Sequence, residues 1–181
     1  FRWETKYMGK LPQSGREHIV NPLPPIIDRD SRVLLLGSMP SPKSREIGFY
    51  FGNPQNRFWR VMAGLWGEKP LDSSEEKIRF CHLHHVAVCD VLKACDIIGA
   101  SDASIENPVP NDIASLLEQA NIVQIYTLGG MATRLYHRHI EPTTHLTAMP
   151  LPSTSPANAR MTLDDLISAF TVVRKTAETL R

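Results

Sequence analysis

The sequence predicts an α/β protein, a three-layer α/β/α sandwich around a central, mainly parallel four-stranded sheet. Continuous apolar runs, typical of strands buried on both faces, alternate with segments of helical periodicity. Strands separated by helices require crossover connections, which produce parallel pairing and a sheet covered on both faces. The chain has 181 residues, a length that suits one compact core, and it contains no repeat or linker. We therefore expect residues 1–181 to form a single domain.

Four segments are predicted to be strands. VLLLGS (33–38) and HVAVCDVL (85–92) are continuous apolar runs. NIVQIYTLGG (121–130) ends in two glycines, and THLTAMPLPS (144–153) runs into a proline-rich loop. In such a sheet the ligand binds beyond the carboxyl ends of the strands. The loops that follow these strands are therefore the first places to look for a site.

Helices are predicted between these strands and after the last one. Their capping residues are Asn53 for the first, Ser73 or Ser74 for the second, Asn111 or Asp112 for the third, and Thr162 for the last. The predicted helices span 53–67, 73–85, 112–120, 131–140 and 161–180. Residues 1–30 are polar and proline-rich, and we expect an arm packed on the body. Residues 94–112 are rich in turn-forming types and are predicted to be a long connection.

Composition excludes several classes of protein. The net charge is +1, so no global basic field announces a nucleic-acid partner. The three cysteines form no CxxC pair, which indicates reduced thiols, and we expect a cytoplasmic protein without a secretory signal. No apolar run approaches the roughly 18 residues of a membrane helix. The histidine-rich segment 82–85 lacks an HExxH pattern, so no metal site is predicted. No Walker loop, GxGxxG or GxSxG motif is present.

The loop after the first strand carries groups suited to a flat ligand with polar edges, such as a nucleobase. Backbone N–H groups around Gly37, Ser38 and Met39 lie near the hydroxyl of Ser41 and three aromatic residues at 49–51. These aromatic rings are equally consistent with plain core packing. Asn56 follows in the predicted helix, and its amide can hold a water or read a base edge. Taken alone, it could equally be a capping residue.

The loop after the fourth strand offers a second set of polar groups. Ser153, Thr154 and Ser155 can bind a phosphate oxygen, and Arg160 can add positive charge. The same segment could be only a tight turn. Four further basic residues are candidate phosphate contacts, although solvent exposure alone would also explain them: Lys43, Arg45, Arg57 and Arg60.

Two segments together resemble the signatures of a known family. GSMPSPKSREIGFYFGNPQNRFW (37–59) resembles the first signature of the uracil-DNA glycosylase superfamily. It is especially similar to the mismatch-specific branch, written G-I-N-P-G, then G-x-x-F, then H-P-x-N-R-F-W. LPSTSPANAR (151–160) looks like the second signature, written H-P-S-P-L-S or N-P-S-G-L-S elsewhere. The pairing is most similar to the DNA-deoxyinosine (hypoxanthine-DNA) glycosylases, and the resemblance covers roughly residues 32–175.

The resemblance implies a monofunctional DNA glycosylase that flips a deaminated base out of DNA and hydrolyses its N-glycosidic bond. It implies Asn56 as the catalytic residue and Phe51 as the ring that stacks on the base. Gly37, Ser38, Met39 and Asp90 would complete the base-binding pocket. DNA would be bound through Ser41 and the second signature loop with Arg160. No cofactor, metal or membrane is implied, and we expect a monomer.

The departures from the family pattern bear on the substrate. Met39 stands where most branches carry a catalytic Asp or Asn, and Leu151 stands where the second signature opens with His or Asn. A thioether cannot orient a water, and a leucine cannot stabilise the oxygen of a departing uracil anion. The deoxyinosine branch resembles this chain in lacking both groups, and the resemblance therefore implies hypoxanthine as the base. The alternatives are the same scaffold with a uracil, mismatch or xanthine preference, and a non-catalytic DNA- or nucleotide-binding relative.

Overall fold

A computed structural model describes residues 15–179, and its main sheet has four parallel strands. The strands of the chain are β1 (Arg16–Val20), β2 (Val33–Gly37), β3 (Val86–Asp90), β4 (Leu92–Ile98), β5 (Ser101–Pro110), β6 (Gln124–Leu128) and β7 (Ala148–Leu151). The main sheet has the order β3-β2-β6-β7. Every neighbouring pair in it is parallel, and the β2–β3 register places Gly37 opposite Asp90. The predicted four-stranded parallel sheet is confirmed.

Helices cover both faces of this sheet. They are α1 (Pro42–Ile47), α2 (Phe58–Leu65), α3 (Ser74–Leu83), α4 (Ile113–Gln119), α5 (Gly130–His139), α6 (Glu141–Thr144), α7 (Leu163–Ala169) and α8 (Thr171–Glu178). Side chains of β2 alternate between two cores, because successive residues of a strand point to opposite faces. Leu35 packs in one core with Phe58 and Phe170, whereas Leu34 and Leu36 pack in the other. The three-layer α/β/α arrangement follows from this alternation.

A second, antiparallel sheet of order β1-β4-β5 occupies residues that the sequence assigned to an arm and a connection. The expectation of an irregular connection over 94–112 is wrong. The segment forms strands in spite of its turn-forming residues. Gly99, with φ of 55°, lies in the turn between β4 and β5, and the pairing of these two strands has register shifts between Leu92 and Ile98. The strand β1 supplies the third member from far away in sequence, which local composition cannot reveal.

Two parts of the predicted arm pair with strands of the remaining chain. Ile26 forms an antiparallel bridge with Val88 of β3, and β1 pairs along β4. The first 14 residues of the predicted arm lie outside the described residues. Within the described part of the chain, no helix has the length and apolar character needed to cross a bilayer.

The helices differ from the sequence prediction in several places. The helix expected from residue 53 begins only at Phe58, because the side chains of Asn53 and Asn56 accept the N–H groups of Gln55 and Phe58 and hold the chain in turns. The closing helix is broken at Phe170 into α7 and α8, and the short α1 lies inside the first loop. The predicted caps Ser73, Asp112 and Thr162 are confirmed, each accepting a backbone N–H three residues on.

Candidate active site

A cleft of about 330 Å³ opens at the carboxyl ends of the parallel strands. Of the site residues that the family resemblance implies, all but Arg160 line it: Gly37, Ser38, Met39, Ser41, Phe51, Asn56, Asp90, Ser153, Thr154 and Ser155. Arg160 is exposed and does not belong to the lining. The topology explains this convergence, because parallel strands deliver their following loops to the same edge of the sheet.

Asn56 is held in one orientation by two donors. Its Oδ1 accepts the backbone N–H of Phe58 at 2.9 Å and the hydroxyl of Thr154 at 2.9 Å. A backbone N–H can only donate, so the atom facing Phe58 must be the amide oxygen. The Nδ2 group has no acceptor among the described residues. Asn56 therefore presents N–H donors, and not its oxygen, for use by a ligand in the cleft.

Asp90 lies at the carboxyl end of β3 and is 3% exposed. Its Oδ2 accepts a hydrogen bond from Asn21 Nδ2 at 3.0 Å, whereas Oδ1 accepts none from the described residues. A Cβ added at Gly37 would lie 2.7 Å from this Oδ1, so the glycine leaves room for the carboxyl group. Burial raises the pKa of Asp90 to about 7; the Asn21 bond opposes this shift, and the charge of Asp102 adds to it.

Asp102 lines the same cleft from strand β5. Its two carboxylate oxygens accept the hydroxyl of Ser38 at 3.0 and 2.9 Å. Although the residue as a whole is exposed, desolvation of its carboxyl group raises its pKa, and the hydrogen bond from Ser38 opposes this shift. The second sheet therefore contributes the carboxyl group of Asp102 to the site. This carboxyl group also holds the hydroxyl of Ser38, in the loop after β2, in place.

Phe51 forms an aromatic wall of the cleft. Its ring stacks on Phe58 with centroids 4.0 Å apart and planes 23° apart. The residue has φ of 52°, an unusual left-handed conformation for a bulky side chain. It is half-buried and lines the cleft, so the reading of this ring as core alone is wrong. Tyr50 also lines the cleft but is buried in the core, and Phe49 packs against that core.

Arg57 ties the second loop to the first. Its guanidinium donates to the carbonyls of Ser155 at 3.2 Å, Asn158 at 2.9 Å and also Met161. Its backbone N–H donates to Thr154 O at 3.1 Å. Arg57 was one of the candidate phosphate contacts, but in the structure its guanidinium donates to these three carbonyls of its own chain. Arg57, the residue directly before α2, therefore holds the second loop in its conformation.

The two departures from the family pattern occupy different environments. Met39 is 9% exposed and lines the cleft, and its backbone N–H makes no hydrogen bond with the described residues. Leu151 is 7% exposed and packs in the core that also contains Leu128. Neither side chain brings a polar atom to the cleft.

Two polar residues of the site escaped the sequence reasoning. Asn21 was assigned to a polar arm, yet it is 1% exposed, and its Oδ1 accepts the N–H of Leu23 at 2.9 Å. Asp102 was placed in a structureless connection. Asn21 directly follows β1, and Asp102 lies in β5. Their place at the site could be predicted only by knowing how the strands of the second sheet pair. Within residues 15–179, no cluster of histidine, cysteine and carboxylate groups is arranged to hold a metal.

Comparisons with known proteins agree with this architecture. The model of the uracil DNA glycosylase superfamily matches residues 24–178. Two relatives named hypoxanthine DNA glycosylase, from Methanosarcina acetivorans and Methanosarcina barkeri, are 31% and 28% identical over 138 residues. Each match covers 76% of this chain and 87% of the relative. A solution NMR structure from Methanosarcina acetivorans, provisionally named a uracil DNA glycosylase, superposes with a TM-score of 0.76 at 28% identity, covering 89% of this chain and 100% of the other.

Proposed function

The chain belongs to the uracil-DNA glycosylase superfamily, and we propose that it excises hypoxanthine from DNA containing deoxyinosine. The protein is a DNA N-glycosylase that acts on deaminated bases, as the names of the family and of its relatives indicate. The observation that carries the choice of base is the cleft itself. It combines an aromatic wall, Phe51, with the free amide donors of Asn56, and it lacks polar side chains at Met39 and Leu151.

The cleft suits a flipped nucleobase. Enzymes that act on a base within a duplex extrude it into a pocket, where it stacks on aromatic side chains. Phe51 is braced from behind by Phe58, so its ring position is fixed before the base arrives. The neighbouring Ser38, Ser41 and second-loop hydroxyls lie around the same opening. Of these, the hydroxyls of Ser153 and Ser155 accept backbone N–H groups within their loop and keep their own protons, so they can donate to the sugar–phosphate backbone beside the flipped nucleotide.

The missing polar groups favour a purine with a stable leaving form. Uracil excision by the usual arrangement uses a carboxylate or amide in the first signature and a histidine or amide in the second. This chain has Met39 and Leu151 at those positions and therefore lacks both groups. Hypoxanthine leaves more readily than adenine, because the electron density that passes into the ring as the bond breaks is delocalised onto its carbonyl oxygen. A site with few strong catalytic groups therefore suffices for this base, whereas it would leave adenine intact.

Asn56 supplies the donor for the hydrolytic step. Cleavage of the C1′–N9 bond gives the sugar oxocarbenium character, as in glycoside hydrolysis generally. Such a centre is strongly electrophilic, so the attacking water needs a fixed position more than it needs a strong base. Asn56 Nδ2 can hold that water by its oxygen, since Oδ1 is already saturated by Phe58 and Thr154. We propose that a single chain acts alone, because it supplies the cleft from its own loops.

Base release from defined duplexes tests the proposal. Duplexes carrying one deoxyinosine, deoxyuridine, deoxyxanthosine or deoxyadenosine are incubated with enzyme and then treated with alkali, which cleaves abasic sites. We expect cleavage at deoxyinosine, and a loss of about 10²-fold or more in Asn56→Ala, the usual effect of removing one preorganised donor. Preferred cleavage at deoxyuridine or deoxyxanthosine would instead assign the protein to the alternative base.

Asn53→Ala is a matched control. Asn53 and Asn56 form the same local turn, each accepting the N–H of the residue two positions later, at 3.0 and 2.9 Å. Both substitutions therefore remove the same kind of turn bond, and Asn56→Ala in addition removes the acceptor of the Thr154 hydroxyl. We expect Asn53→Ala to lose at least ten times less activity than Asn56→Ala. Binding of intact duplex without any base release would show instead that the protein is a non-catalytic relative.

A further inference from the structure

The carboxyl group of Asp90 has one satisfied oxygen and one oxygen left open at the cleft. Asn21 Oδ1 accepts the N–H of Leu23, which fixes the orientation of the Asn21 amide, so its Nδ2 is the atom that donates to Asp90 Oδ2. A proton on Asp90 must therefore sit on Oδ1. This oxygen lies beside the Cα of Gly37, where no side chain separates it from the cleft.

The cleft has no positive group to meet charge on a departing base. Its described lining contains no lysine, arginine or histidine, and its carboxyl groups are Asp90 and Asp102. A purine that left as an anion would develop negative charge close to these two carboxyl groups in a partly desolvated site. That arrangement raises the barrier, unless one of them delivers a proton as the bond breaks.

We propose that Asp90 is the general acid of this enzyme and protonates the departing purine on a ring nitrogen, N7 or N3. The inference rests on the proposed hypoxanthine excision and extends it. As the C1′–N9 bond breaks, its electron pair passes into the purine ring, and the ring nitrogen takes the proton from Asp90 Oδ1. Hypoxanthine leaves neutral, and Asp90 becomes a carboxylate. Water adds to C1′ and loses its proton to solvent, and Asp90 regains a proton before the next turnover.

The groups around Asp90 support its acid form at neutral pH. Asp102 faces it from β5, and Tyr50 and Cys89 are the other titratable neighbours. Burial raises the pKa values of Tyr50 and Cys89, so both are neutral at pH 7. Asp90 itself, with a pKa raised to about 7, holds a proton in a substantial fraction of molecules. The acid form is lost as pH rises, so the chemical step must slow above neutral pH.

The test measures single-turnover base release between pH 5.5 and 9. The substrates are duplexes with deoxyinosine, 7-deaza-deoxyinosine or 3-deaza-deoxyinosine, and the enzymes are wild type, Asp90→Asn and Asp102→Asn. We expect the wild-type rate to fall with increasing pH. Asp90→Asn should be about 10²-fold slower at pH 6 and lose the pH dependence, as expected when a general acid is removed. Asp102→Asn should move the midpoint to lower pH, because it removes a negative neighbour.

The deaza analogues identify the nitrogen. The analogue that lacks the protonated nitrogen should slow the wild type strongly and slow Asp90→Asn little further. The proposal is overturned if Asp90→Asn keeps the wild-type pH profile, or if weaker substrate binding is its sole defect. Asp90 would then serve only to recognise the edge of the base. The wild-type profile and the Asp102→Asn shift remain informative if Asp90→Asn folds poorly. A wild type that releases no hypoxanthine at any pH refutes the proposed function itself.

Discussion

The hydroxyl of Thr154 donates to the amide oxygen of Asn56 at 2.9 Å, across 98 residues of sequence. This bond joins the two signature loops, because Asn56 precedes α2 and Thr154 follows β7. Thr154 is 2% exposed, so the contact is shielded from water. It also determines which end of the Asn56 amide is available to a ligand. Asn56, the proposed catalytic donor in the first loop, is thus oriented by the second loop.

Thr154→Val should slow base release about tenfold with little change in DNA binding. Valine keeps the shape of threonine and removes the donor, so the Asn56 amide loses one of its two anchors. Thr154→Ser retains the hydroxyl and should keep most of the activity. The measurement is single-turnover cleavage at deoxyinosine, with binding followed by fluorescence anisotropy. Equal rates in the valine and serine variants would show that the bond does not orient Asn56.

Gly37→Ala should reduce base release at least tenfold. An added Cβ would lie 2.7 Å from Asp90 Oδ1 and 3.6 Å from the Phe51 ring, so the carboxyl group must move and the cleft must narrow. Gly130→Ala is the control, because its added Cβ would meet the flexible end of Arg134 at 3.1 Å. Both variants are assayed by single-turnover cleavage and by thermal unfolding. Wild-type activity in Gly37→Ala would mean that the space beside Asp90 is not used.

Asp90→Asn should change how stability depends on pH. The pKa of Asp90 is raised to about 7 in the folded protein from an ordinary value of 3.8, so between these values the folded state holds more protons than the unfolded state. Stability of the wild type must then fall as pH rises through this window, by at most about 1.4 kcal/mol per pH unit for one proton. Above pH 7 the loss is complete.

Urea unfolding from pH 4 to 8 measures this effect. Asparagine cannot ionise, so the variant should gain stability relative to wild type steadily from pH 4 to 7 and hold that gain at pH 8. Curves for the two proteins that stay parallel across the range would show that Asp90 ionises normally in the folded state.

Arg57→Lys should destabilise the protein by about 1–3 kcal/mol, the scale of hydrogen bonds lost from a charged group. Lysine carries a single ammonium and cannot reach the three carbonyls that the planar guanidinium serves at Ser155, Asn158 and Met161. Arg60→Lys is the control, since Arg60 is exposed and makes one long contact, 3.5 Å, with Gln55 O. Equal midpoints of urea unfolding in the two variants would contradict the role given to Arg57.

Local sequence patterns determined the main sheet and much of the site. The run VLLLG is buried at every position, and its apolar continuity alone indicates a central strand. The signature loops follow such strands, so their convergence could be predicted from parallel topology. The caps at Ser73 and Thr162 were equally readable, because a capping residue acts on a backbone N–H three positions away.

Only the tertiary structure decided the second sheet and the hydrogen bonding and protonation of the proposed catalytic groups. Residues 101–110 have the composition of a loop. They form β5 because they pair with β4, which pairs with β1 on its other side. The same pairing brings Asn21 and Asp102 to the site. The available end of Asn56, the raised pKa of Asp90 and the engagement of Arg57 each depend on partners distant in sequence. Burial and hydrogen bonding arise from such partners, so residue type alone does not determine them.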